Sequence, residues 1–449
     1  MNQRTGFTLV LWSSCLAMLA VGANSTAIMA ALPTMRTELL LSSAGVQWAV
    51  NAYLVVSAAF IVLGGQAADR FGPRLASMVG LALFAVASCI IATAGTQAAL
   101  LAGRALQGLA AAFAVPSTLA AVDTSAAPER RAAAVGAWTG FLMLGFSIGP
   151  LLGGALTHVT GWRVIFWLNV PLMLSAVIGL ASAGSATARA YATQSRRADW
   201  IGFVLLATLM VSLVFGLHAL PHAGAAPLPV VGPFALAATA FVLLLTVESR
   251  SEAPLVDLSF FARRGFVMGV AIGSLSMFSI MSLLLYFNLY AQSREGLGLT
   301  ALEAGAALLP LSAALLALAL SASAVAERVG LRNAMTGGMA LIAIGSFIIA
   351  VAITKGGGMV LLAIGFFVMG TGLAVPYALA PRLALSALSP AQTGQGSGII
   401  NACTFLGGSA GVAGGATAFA LGGFVGVLTM IALAGIIGAA LSRGISETA

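Results

Sequence analysis

The charges of this chain are confined to the gaps between long apolar runs. Asp, Glu, Lys and Arg make up 7% of its 449 residues, while 60% are hydrophobic. A soluble domain carries about 25% charged residues, so a chain of this length and composition has more apolar surface than a water-soluble core can hide. About 20 apolar residues in a helix cross the hydrocarbon of a bilayer. Fourteen runs of that kind begin near Phe7, Val46, Leu75, Ala98, Ala133, Val164, Trp200, Val230, Phe266, Glu303, Asn333, Gly357, Gly394 and Gly422. They are too long and too continuous for barrel strands, which alternate over roughly ten residues. The sequence predicts an all-α membrane protein with fourteen transmembrane helices and no soluble domain between them.

The basic residues orient it. With the N-terminus cytoplasmic, 15 of the 20 basic residues fall on the inside, among them Arg70, Arg74, Arg130, Arg131, Arg263, Arg264, Arg328, Arg332 and Arg443. Four fall outside (Arg36, Arg163, Arg294 and Lys355), and Arg104 lies within a span. Cytoplasmic loops carry the Lys and Arg excess, so both termini are expected in the cytoplasm. The first apolar run has signal-peptide features at Arg4 and Val21-Gly22-Ala23, yet continues through Leu32, which is long enough to span. It is read as a retained first helix. The +8 net charge is then a topology signal and an attraction to anionic lipid. Nucleic acid is excluded as a partner, because the basic residues are dispersed over many loops.

An internal repeat divides the chain. Ala68-Asp69-Arg70-Phe71-Gly72-Pro73-Arg74 returns as Ala326-Glu327-Arg328-Val329-Gly330-Leu331-Arg332. Each copy lies in an inside loop ahead of a span. Gly145, Gly149 and Gly153 in the fifth run are echoed by Gly407, Gly411 and Gly415 in the thirteenth. Runs 1–6 therefore correspond to runs 9–14, with 7 and 8 inserted. The expected organisation is a six-helix bundle over residues 1–184, a linker with two inserted spans over 185–265, and a second six-helix bundle over 266–449. Ala183–Asp199 and Glu248–Asp257 read as the linker segments. Two such halves around a central site suit alternating access.

Four segments in order carry a family resemblance. Gly64-Gly65-Gln66-Ala67-Ala68-Asp69-Arg70-Phe71-Gly72-Pro73-Arg74 resembles the loop 2–3 motif of the major facilitator superfamily. Leu101-Ala102-Gly103-Arg104-Ala105-Leu106-Gln107-Gly108 resembles its fourth-helix motif. Gly145 to Gly154 resembles the fifth-helix motif associated with antiporters. Trp162-Arg163-Val164-Ile165-Phe166-Trp167-Leu168-Asn169-Val170-Pro171 is similar to the start of the sixth helix in the fourteen-span drug:proton antiporters. The resemblance implies that fold, with 6 + 2 + 6 helices. It also implies export of drugs or metabolites in exchange for protons across the inner membrane. A latch would be formed by Asp69, Arg70, Gly72 and Arg74 against the N-terminus of the thirteenth span. A pivot would be formed by Gly145, Gly149, Pro150 and Gly153, where small residues let a neighbouring helix approach.

Arg104 is the leading site residue. An Arg within a span costs several kcal/mol unless hydrated or paired, so it is expected to face an interior cavity. It sits roughly 9 Å along the fourth run at the helical rise. The antiporters that the chain resembles carry an Asp on the first helix before the closing Leu-Pro. Asn24 stands there instead. Asn24 is expected at a depth near that of Arg104, and it offers a hydrogen bond but no titratable proton. No Asp or Glu lies in the middle of any run; Asp69, Asp123, Asp199 and Glu303 come nearest. A neutral, zwitterionic or anionic amphipathic substrate is therefore expected over a dication. Further cavity candidates are Asn51, Tyr53, Gln107, Trp138, Tyr286, Asn288, Tyr290, Tyr377 and Asn401.

Several chemistries are not indicated. Cys15, Cys89 and Cys403 lie inside apolar runs without metal or disulfide spacing. His158, His218 and His222 fall near outside loops, with Pro221 interrupting the last pair. There is no phosphate-binding Gly-rich loop with Lys, hence no direct use of ATP, and no nucleophile–base constellation. The expectation is a non-enzymatic secondary transporter, a monomer without cofactor, whose partners are its cargo, protons and membrane lipid. The alternatives are a proton-independent facilitator or anion-preferring metabolite exporter of the same fold, and, less favoured, a membrane-embedded enzyme acting on lipid-linked substrates.

Overall fold

The computed structural model describes residues 3–183, 199–220, 228–251, 254–389 and 392–445, and every regular element among them is helical. Only helices and closed barrels satisfy the backbone in lipid, and the apolar runs select the helix. Residues 184–198 of the expected linker, including Arg189, Arg196 and Arg197, lie outside the described residues, as do Pro221, His222, Glu252 and Ala253 and the side chain of Arg4.

The chain divides into two units, Met1–Trp200 and Ile201–Ala449. The first contains α1 (Gln3–Glu38), α2 (Ser43–Phe71), α3 (Pro73–Ala92), α4 (Gln97–Ser125), α5 (Pro128–Val159) and α6 (Arg163–Ser182). Local capping and proline signals set their ends. Ser42 accepts from the Gly45 N–H at 2.9 Å ahead of α2, and Thr96 accepts from Ala99 N–H at 3.2 Å ahead of α4. Pro73 and Pro128 occupy first-turn positions, where a missing N–H costs nothing. Within the unit α1 packs on α5 and α6, α4 on α2 and α3, and α3 on α6.

The second unit contains α7 (Trp200–Ala219, whose first residue closes the first unit), α8 (Leu228–Glu248), a short 3-10 helix (Leu258–Ala262) and α9 (Arg264–Ala291). These are followed by α10 (Ala301–Ala307), α11 (Leu309–Val329), α12 (Leu331–Thr354), α13 (Gly358–Ser386) and α14 (Thr393–Ser442). Its packing repeats the first: α9 on α14, α13 on α11 and α12, and α12 on α14. A capping box of Thr300 and Glu303 opens α10, so Glu303, one of the acids nearest to a span, serves there as a helix-start residue.

By length and composition twelve of the described helices can cross a membrane, and thirteen can if α10 and the first part of α11, bent by 42°, form one span. The count of fourteen runs meets its difference in α14. That helix is assigned over 50 residues, about 75 Å at the helical rise, far beyond a bilayer core. It is interrupted at Gly422 and Gly423, where φ/ψ leave the helical region. The break separates two arms at the start expected for the fourteenth run.

Candidate functional site: a buried guanidinium cluster

The charged repeat is also a repeat of backbone geometry. Gly72 and Gly330 have φ of +88° and +85°, a region that residues with a side chain rarely enter. Each turns the chain from one span into the next. Asp69 and Arg70 are exposed at the end of α2. Arg74 is engaged inside its own unit: Nε donates to the Leu180 carbonyl at 2.6 Å and Nη2 to Ala181 at 2.7 Å. A cation thus closes the C-terminal end of α6, where carbonyls lack helical partners.

The small-residue ridge of α5 has a defined counterpart. A Cβ on Gly145 would meet the backbone of Leu19 and Ala23, one on Gly149 would meet Thr26 and the Ala23 carbonyl, and one on Gly153 would meet Ala27. The three glycines therefore set the approach of α5 to α1, with Pro150 buried among them. In the second unit Gly407, Gly411 and Gly415 take the same part against Ser274, Phe278 and Tyr286 of α9.

A second close approach builds the polar site. A Cβ on Gly108 would meet the Tyr53 backbone and one on Gly64 the Ala112 carbonyl, so α2 and α4 run almost in backbone contact. Arg104, on α4, is 1% exposed. Its Nε donates to the Ala49 carbonyl of α2 at 2.7 Å, and Nη1 donates to Gln107 Oε1 at 2.5 Å. The Tyr53 ring covers its guanidinium, 4.7 Å from the ring centroid, a cation–π contact that gains weight when desolvated.

Gln107 carries the network onward. Its Nε2 donates to Ser88 Oγ on α3 at 3.0 Å and reaches Asn24 Oδ1 at 3.4 Å. Asn24 Nδ2 returns a bond to Gln107 Oε1 at 3.2 Å. Asn169, on α6, donates to Asn24 Oδ1 at 2.9 Å. Ser25 reaches the Tyr53 hydroxyl at 3.5 Å. Five helices thus contribute to one buried cluster. Among the described residues, no carboxylate pairs with Arg104. The buried charge, which would cost several kcal/mol alone, is balanced by carbonyl dipoles and an aromatic face.

The structure brings together Arg104, Asn24, Gln107 and Tyr53, four of the residues singled out in the sequence. Asn24 and Arg104 are linked through Gln107 Oε1, which accepts from both. Asn51 is buried on α2 between Ala49 and Tyr53. Trp138 lies elsewhere and donates to Thr118 at 3.2 Å, tying α5 to α4. Asn288 and Tyr377 belong to the second unit. Asn288 donates to the Leu284 carbonyl and accepts from Gln292; Tyr377 is half-buried on α13. Tyr286 donates to the Val412 carbonyl at 2.6 Å, a bond between α9 and α14. Asn401 binds its own helix at Ser397.

Sequence reading misses Asn169 and Ser88. Asn169 stands inside a quoted motif as its one uncharged amide, which is the available signal. Ser88 carries none, because serine is common in spans. The same motif supplies a staple at the other end of the unit. There Trp162 Nε1 donates to Glu38 at 2.6 Å, Arg163 pairs with Glu38, and Arg163 Nη2 donates to the Ala94 carbonyl at 3.0 Å.

Comparison with known proteins agrees with this architecture. The family model for the Major Facilitator Superfamily matches residues 14–412. The chain is 34% identical over 337 residues to the tetracenomycin C resistance and export protein of Streptomyces glaucescens, covering 74% of this chain and 62% of that protein's length. It is 31% identical to the methylenomycin A resistance protein of Bacillus subtilis, covering 84% of this chain and 80% of that one. It is 30% identical to the lincomycin resistance protein of Streptomyces lincolnensis, covering 88% and 81%. The fold resembles a crystal structure of the peptide transporter POT, with a TM-score of 0.69 at 15% identity over 97% of this chain and 93% of that one. It also resembles the human organic anion transporter MFSD10, with a TM-score of 0.63 at 18% identity over 98% and 100%. The paired helical units, the repeated loop and the matched family model lead to one assignment: the chain belongs to the major facilitator superfamily.

Proposed function

We propose that this chain is a fourteen-span secondary active transporter. It exports small amphipathic compounds across the inner membrane by alternating access, in exchange for protons, as a monomer with both termini in the cytoplasm. The observation that carries the reading is the repeat: two units with the same loop geometry at Gly72 and Gly330 and the same glycine ridges on α5 and α14. Inverted or parallel repeats of this kind support a site that opens to each side in turn. Export is supported by the relatives named for resistance to tetracenomycin C, methylenomycin A and lincomycin. Fourteen crossings are supported by the bent pair α10–α11 and by the break of α14 at Gly422-Gly423. The three-part division at residues 184 and 265 follows from the same count. In this reading Asp69, Arg70, Gly72 and Arg74 act as the latch, and Gly145, Gly149, Pro150 and Gly153 as the pivot.

One observation favours a second reading, a proton-independent or anion-preferring exporter. Arg104 has only uncharged partners among the described residues, and Asn24 cannot carry a proton. Everted vesicles energised by respiration decide between the two. A panel of amphipathic toxins is added while internal acidity is followed. Proton release on addition of a compound that the vesicles accumulate is the expected result for exchange. Accumulation without proton movement selects the second reading, and no accumulation of any compound contradicts both.

A further inference from the structure

The guanidinium of Arg104 offers five N–H donors in one plane. Nε is taken by the Ala49 carbonyl and one Nη1–H by Gln107, whereas Nη2 makes no hydrogen bond among the described residues. The Tyr53 ring lies over one face of the group, which leaves the Nη2 hydrogens and the second Nη1–H at its edge. Gln107 Oε1 lies where two donors converge, the ionised Nη1 of Arg104 at 2.5 Å and Nδ2 of Asn24 at 3.2 Å. The bond from Arg104 is charge-assisted through its donor alone, whereas an anion at the same place would bring the opposite charge as well. Gln107 Nε2 is held by Ser88 at 3.0 Å; its nitrogen and oxygen share one planar amide, so the whole amide swings when the oxygen gives up its place.

The fold does not require this arrangement. In the second unit Gly365 packs on Ile349 as Gly103 packs on Ile91. The positions matching Arg104, Gln107 and Ser88 are then Phe366, Met369 and Ser346. There Phe366 stacks edge-on against Phe287, and Ser346 faces the Met369 sulfur at 4.0 Å.

We propose that Gln107 Oε1 holds the place of an anion, and that the donors of Arg104 and Asn24 take up a monoanion during the transport cycle. That anion is either a carboxylate carried by an amphipathic cargo or an inorganic anion travelling with it. The proposal rests on the transporter reading given above. Binding exchanges the Gln107 oxygen for the anion and needs no proton carrier at position 24.

The test uses the purified full-length chain in detergent and follows its thermal unfolding midpoint against sodium benzoate, benzamide (the neutral analogue of the same shape) and sodium chloride. The expected result is a saturable rise with benzoate or chloride and none with benzamide. The variant Gln107→Glu supplies a built-in carboxylate, which fills the site and weakens apparent anion affinity at least tenfold. Arg104→Lys retains the rise and Arg104→Gln loses it. Saturation by benzoate alone identifies a cargo carboxylate, and saturation by chloride identifies an inorganic anion; both support the site. The proposal is overturned if no anion shifts the native chain more than it shifts Gln107→Glu, or if benzamide acts as strongly as benzoate. Vesicle flux separates the two levels: compound export without anion binding removes only this proposal, while anion binding without export removes the transporter reading.

Discussion

The two units use one scaffold for two different interiors. The backbone of α4 against α2 and α3 is reproduced by α13 against α11 and α12, down to the hydrogen bond of Ser88 to the Phe84 carbonyl and of Ser346 to the Ile342 carbonyl, each 2.8 Å. On that common frame the first unit buries Arg104, Gln107, Asn24 and Asn169, and the second buries Phe366 and Met369. Both sets are buried. A buried cation is weak evidence for stability, and here the matching apolar set stands in the same chain as its control. In the proposed reading the polar cluster is there for transport.

The comparison can be broken most forcefully by exchanging one side of it. Phe366→Arg places a guanidinium beside Phe287 and Met369, without the counterparts of Gln107 and Tyr53 that face Arg104. A loss of about 3–5 kcal/mol is expected, read as loss of folded protein after extraction in detergent. Near-native stability would mean that the second unit is as polar-tolerant as the first. A smaller effect tests the shared frame. Gly149→Leu and Gly411→Leu each drive a side chain into the facing backbone, at α1 and α9 respectively. Each is expected to cost about 1–3 kcal/mol or more and to stop export, with unfolding midpoints lowered to a similar degree. A harmless Gly149→Leu would remove the pivot. The smallest difference is between serines. Each Ser→Ala change deletes a bond to a carbonyl of its own helix; Ser88→Ala also deletes the acceptor of Gln107 Nε2, and Ser346→Ala a weak contact to sulfur. Ser88→Ala is expected to be the more destabilising by about 1 kcal/mol, measured by thermal unfolding of both variants. Equal costs would show that the Gln107 bond adds nothing.

Much of this frame is legible in the sequence. Charges are so sparse that a repeated acid-Arg-x-Gly-x-Arg loop stands out, and its copies share one φ because the same turn follows the same span. The ridge at Gly145, Gly149 and Gly153 is readable from spacing, yet its partner on α1 is not, since apolar partners are interchangeable in composition. Arg104 announces itself as the lone cation in a span. Its environment does not: the Ala49 carbonyl is backbone, and Asn169 and Ser88 reach it only through Gln107. Tyr286 and Trp138 read as cavity residues, and their polar atoms are engaged in helix-to-helix bonds. The break in α14 at Gly422-Gly423 falls where the fourteenth apolar run is read to begin.

The central claim is that the first unit's polar cluster serves transport and not folding. It is tested by giving that unit the second unit's residues, as Arg104→Phe with Gln107→Met, and measuring export and unfolding on the same preparation. The account predicts a folded protein with an unfolding midpoint near that of the native chain and export reduced at least tenfold. Export at the native rate from that variant would contradict it.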